Sequence, residues 1–137
     1  MPRVKTYLLA LLALALIACA APIDDKAAME KYQFPELESV TSIRNWQLDG
    51  WQVVDERSLI IQTSPSQYYL FVLARRNLQL KFAEGILVSS TSGQVQVNFD
   101  TVATSREPML KTPIAAMYKL KGRDQVAEIK GRIVGGE

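Results

Sequence analysis

The chain has no histidine, and its 137 residues include one cysteine, Cys19. The first absence excludes a Ser-His-Asp triad, a Cys-His pair and any histidine-based zinc site. The second excludes an intramolecular disulfide, so stability must come from a packed core. Long apolar runs are missing too. The longest, Tyr7 to Ala18, covers 12 residues, about 18 Å as a helix against a hydrocarbon core of about 30 Å, and cannot cross a bilayer. Blocks of like charge are absent: Arg75-Arg76 is the longest basic run, which reads as a solvated strand end. No metal site and no cofactor is expected.

What the N-terminus does contain is ordered. Arg3 and Lys5 precede the apolar run, which closes on Leu16-Ile17-Ala18-Cys19. Positive charge, a short apolar stretch and small residues at a cut form the layout of a secretory signal. The closing residues resemble the lipobox of a bacterial lipoprotein, which implies cleavage between Ala18 and Cys19 and acylation of Cys19. An ordinary signal peptide cut near Ala18 or Ala20-Ala21 is the competing reading; Leu16 three positions before a cysteine favours the lipoprotein. Residues 1–18 are then the signal. The mature chain works in the bacterial cell envelope with the lipid bilayer as its partner. Ala20, rather than an aspartate, directs it to the inner leaflet of the outer membrane, facing the periplasm.

Loss of the signal changes the electrostatics. The whole chain has 16 Lys+Arg against 14 Asp+Glu; without Arg3 and Lys5 the balance is 14 against 14, so the sequence pI of 8.7 overstates the basic character. A neutral domain has no counterion-release drive toward DNA or RNA, and no nucleic-acid partner is expected.

Cys19 to Glu137 suffices for one domain and not for two. Residues 19–43 lack a sustained period and are expected to be a lipidated N-terminus and tether, with a short helix around Asp24 to Lys31 stopped by Phe34-Pro35. About 20 such residues reach some 25 Å on average. Residues 44–137 form the domain. Trp51 to Val54 and Ser58 to Thr63 read as strands around an Asp55-Glu56-Arg57 turn, and Ser64-Pro65-Ser66-Gln67 as a second turn. Tyr68 to Ala74, seven consecutive apolar residues, should be a central strand covered on both faces. Gly85 to Ser89 and Gln94 to Val102 flank Ser90-Thr91-Ser92-Gly93 as a hairpin. In the second arm Val95, Val97 and Phe99 face the core while Gln96, Asn98 and Asp100 face water. Asn77 to Ala83 fits a short strand or a single helical turn. Pro113 to Leu120 should be extended, and Gly122 to Lys130 a short helix capped around Asp124, with Val126 and Ile129 on one side. The fold expected is mainly β, with α+β as a variant: about five antiparallel strands in a small curled sheet or half-barrel and a short C-terminal helix.

Trp51-x-Val53-x-Asp55-x-x-Ser58-Leu59, Tyr68-x-Leu70-x-x-Leu73, Phe99-Asp100-x-Val102 and Ile114-x-x-Met117-Tyr118-x-Leu120 resemble a family of small exported proteobacterial proteins defined only as a domain of unknown function. The resemblance covers about Trp46 to Leu120. It implies the location and the fold and transfers no site. Members of that family carry one cysteine after the central strand and another before the late Ile-containing segment; here those places hold Arg75-Arg76-Asn77 and Lys111-Thr112-Pro113.

Among chemical constellations, Asp55-Glu56 with Asp100 can be imagined as the acid and base of a glycosidase. The plainer reading is that Asp55 bonds its own turn and Asp100 sits on a wet face. A Ser-Lys dyad at Ser58 lacks a lysine neighbour. Trp46, Trp51 and Tyr68 are candidates for a stacking surface, although small β domains use such residues in their cores. Arg75, Arg76, Gln96 and Asn98 complete the candidate interaction set. The function expected is a non-enzymatic binding or structural role, directed at an envelope protein or cell-wall component. The alternatives are a small cell-wall-directed hydrolase using carboxylates and a lysozyme-inhibitor-like binding protein.

Overall fold

In a computed structural model, residues 25–136 are described. The signal, Cys19 and its acylation lie outside the described residues. The chain divides into two compact units at Glu30/Lys31. The described part of the first is one helix, α1 (Asp25–Glu30).

The second unit is a nearly closed, barrel-like antiparallel sheet. Its chain order is β1 (Glu38–Val40), β2 (Ser42–Ile43), β3 (Gly50–Asp55), β4 (Ser58–Ser64), β5 (Gln67–Leu73), a 3-10 helix (Leu78–Phe82), β6 (Ile86–Val88), β7 (Val95–Gln96), β8 (Thr101–Thr104), β9 (Thr112–Leu120) and α2 (Arg123–Gly135). The sheet runs β3-β4-β5-β9-β8-β6, with β1 also on β9. The nine-residue β9 organises it. One edge pairs β5 from Tyr68↔Leu120 to Leu73↔Ile114; the other takes β8 at Thr112 and Pro113 and β1 from Met117 to Lys119. The 3-10 helix touches β3 and leads directly into β6, so it spans the two free edges of the sheet.

Alternation decides which side chains fill the barrel. Trp51 and Val53, Leu59 and Ile61, and Tyr69, Phe71 and Leu73 join Ile114 and Met117 in one inner cluster, as a period of two requires. Ile60, Leu70 and Val72 point the other way yet are also buried. That outer face carries α2, whose buried residues are Val126, Ile129 and Ile133, and the segment from Lys31 to Leu37, where Phe34 packs edge-on against Tyr118 at 5.7 Å. Hence β5, expected to be covered on both faces, is.

The expected mainly β fold, a curled antiparallel sheet with a short C-terminal helix, is the one observed, with seven strands in the sheet where about five were expected and β2–β7 as a separate pair. Several local expectations need correction. Residues 31–43 are not tether: Tyr32, Phe34, Leu37 and Ile43 are buried and β1 and β2 form ladders. The 94–102 strand does not exist. Asn98 takes a positive φ of 62°, which breaks the alternation. Val95 goes into the core, Phe99 is exposed and Asp100 is buried, the reverse of the expected faces for the last two. The 85–89 segment therefore pairs with β8, from Ile86↔Thr104 to Val88↔Val102, and Ser90 to Gly93 closes only an isolated Thr91↔Gln94 bridge. Asn77 to Ala83 takes the helical alternative. The C-terminal helix runs to Gly135, and Gly122, not Asp124, precedes its first turn without a side-chain cap.

Candidate functional site

The carboxylates are occupied by structure. Asp55 ends β3 and accepts hydrogen bonds from the Tyr32 hydroxyl (2.6 Å), the Ser58 hydroxyl (2.7 Å) and the Arg57 amide (2.9 Å), with the Lys31 ammonium at 3.1 Å. Partial burial pushes its pKa up, but those four donors outweigh it and hold the carboxyl below its ordinary value. A general acid needs the opposite shift. Glu56 is held low by Lys81 and Arg76. Asp100 is 2% exposed, and accepts the Ser89 hydroxyl and the Gln96 amide, each at 2.7 Å. It joins β7 to the β6–β8 ladder and does not face water. Arg57, also buried, donates to the carbonyls of Leu73 and Ala74, fastening the β3–β4 turn to the end of β5.

The expected interaction residues do not converge. Trp46 and Trp51 are half-buried against the inner cluster, Trp46 stacked on Phe71 with centroids 6.0 Å apart. Tyr68 is buried on the outer face, where Arg123 Nε donates to its hydroxyl at 3.3 Å. Arg75 and Arg76 are exposed but engaged, Arg75 with the Lys111 carbonyl at 2.7 Å and Arg76 with Glu56. Gln96 and Asn98 are exposed; Asn98 donates its amide to the Ile114 carbonyl at 2.7 Å.

A cavity of about 320 Å³ opens instead at one end of the barrel, lined by Ser42, Ile43, Arg44, Asn45, Thr63, Gln67 and Tyr69. The β2 end brings Ser42 to Asn45, and the β4–β5 hairpin brings the others. Asn45, at φ 52°, turns the chain back along the rim; asparagine tolerates that left-handed geometry better than most residues. No carboxylate lines the space. Among the described arginines, Arg57, Arg75, Arg76, Arg106, Arg123 and Arg132 each donate to a partner; exposed Arg44 alone has none. Sequence reasoning assigned Ser42 and Ile43 to the tether and missed the site. The one available signal was an unmatched arginine before a turn-forming asparagine.

A model of one protein family, described as a family of unknown function, DUF6491, matches residues 2–134. The chain belongs to this family. Searches of curated proteins and of solved structures each gave no match. In this family member the residues that carried the resemblance do structural work: Asp55 and Ser58 close a turn, Leu70, Leu73, Val102, Ile114 and Met117 are fully buried, and Asp100 ties a loop. Phe99, 64% exposed, is the exception. The two segments where cysteines were expected from that resemblance lie together, with Asn77 Nδ2 donating to Thr112 Oγ1 at 3.2 Å in the interior.

Proposed function

We propose that this family member is a non-enzymatic lipoprotein of the bacterial envelope. Acylated Cys19 holds it at the inner leaflet of the outer membrane, facing the periplasm, and its barrel mouth binds a carboxylate-bearing component of the cell wall. The lipobox-like Leu16-Ile17-Ala18-Cys19 supports the anchor, as does a family match that takes in the apolar leader together with the barrel. The observation that carries the binding reading is Arg44, an unpartnered guanidinium on a cavity whose other polar groups are neutral. A guanidinium recognises a carboxylate through paired charge-assisted hydrogen bonds, and the surrounding hydroxyls and amides suit a sugar's hydroxyls. The space exceeds one sugar ring, and no base stands beside a nucleophile there.

The test is an NMR titration of the mature lipoprotein in micelles with N-acetylmuramate and with N-acetylglucosamine, which lacks the lactyl carboxylate. The acidic sugar should shift the resonances of Asn45, Thr63 and Tyr69 saturably, and Arg44→Ala should weaken that binding about ten- to a hundredfold. Equal shifts with the neutral sugar, or no effect of Arg44→Ala, would refute the reading.

A further inference from the structure

The loop after β5 and the loop before β9 lie side by side. Arg75 donates to the Lys111 carbonyl, Asn77 to Thr112, and the Ala74 amide to the Pro113 carbonyl at 2.8 Å, while Arg106 pairs with Glu84. Together these loops present four of the large hydrophobic side chains exposed among the described residues: Leu78 at 56%, Phe82 at 65%, Met109 at 86% and Leu110 at 44%. Leu78 and Phe82 stand at the two ends of the 3-10 helix, whose buried residue is Leu80. Five cations, Arg75, Arg76, Lys81, Arg106 and Lys111, belong to the same two loops, against two carboxylates there, Glu84 and Glu107, and Glu56 of the neighbouring turn, which takes Arg76 and Lys81, so the face keeps a net positive charge.

Apolar tips within a basic rim suit a surface that is greasy beneath and anionic on top. We infer that these paired loops are where the domain rests on an anionic bilayer, with Met109, Leu110 and Phe82 entering the interface and the cations meeting lipid phosphates. A second copy of this chain would set one face of net positive charge against another and is disfavoured. The inference rests on the proposed Cys19 anchor. With the folded unit beginning at Lys31, the 12 residues from Cys19 to Glu30 can extend at most about 40 Å, which keeps the domain close to the membrane.

In the acylated protein the thiol of Cys19 is blocked, so a fluorophore can be placed through Met109→Cys or, as a control on exposed Glu128, through Glu128→Cys. In phosphatidylethanolamine vesicles containing phosphatidylglycerol, the label at 109 should shift to the blue and resist an aqueous quencher, whereas in phosphatidylcholine vesicles it should stay quenchable. The label at 128 should stay quenchable in both. Lys111→Gln should reduce loop insertion about fivefold. If the protein floats with neither vesicle, the anchor and the loop contact fall together. If it floats while the label at 109 remains quenchable, the loop inference alone is wrong. If that label is shielded without vesicles, the loops are an interface between copies and the lipid assignment is overturned.

Discussion

Asp55 shows how much one polar side chain can hold together. Its carboxylate takes Tyr32 from the N-terminal segment, the Arg57 amide and the Ser58 hydroxyl from its own turn, and the Lys31 ammonium. Because its folded pKa is lowered, the stability it adds is present above the unfolded value of about 3.9 and is lost as pH falls through the folded value. Asp55→Asn should cost about 1–3 kcal/mol near neutrality, the range for leaving buried partners unsatisfied. Urea melts from neutral pH down to acid should then converge for the two proteins, since protonation removes from the wild type what the substitution has already removed. A constant gap at all pH values would mean that Asp55 acts through shape and not charge.

The elements that were legible in the sequence are those whose neighbours impose one environment along their whole length. Tyr68 to Leu73 is such a strand: β4 and β9 flank it, and both its faces are covered. The stretch from Gln94 to Val102 alternates as cleanly on paper, but Asn98 enters the left-handed region and donates to Ile114. The chain there makes two short pairings with different partners, β2 and then β6. Long-range pairing chose between them, and no local pattern encodes it. The same applies to residues 31–43, whose few apolar groups gain burial only once α2 and β9 exist. The cavity mouth was hidden for this reason, because its two walls come from segments about 20 residues apart. Helix α2 outran its expected end because Gly131 does not terminate it. A Cβ at Gly131 would meet nothing within 4 Å, so Gly131→Ala should stabilise the protein by about 0.5–1 kcal/mol through backbone entropy. A thermal melt with an unchanged or lowered midpoint would show that the glycine serves a contact of its own.

For the whole molecule, the proposed function sets a barrel with a polar, cationic mouth about a dozen residues after an acylated Cys19. Among the described residues no helix is long and apolar enough to cross a membrane; in the proposed function the attachment is carried by acyl chains on Cys19. One acyl chain gives marginal binding, and two or more give stable anchoring. The most direct test is the intact mass of the protein extracted from membranes of its host. The expected species begins at Cys19 and is heavier than the unmodified polypeptide by a diacylglyceryl group, with or without a further amide-linked acyl chain. Cys19→Ser should abolish that species. A mass corresponding to cleavage near Ala20-Ala21 with no lipid, or to an uncut chain beginning at Met1, would contradict the proposed anchor.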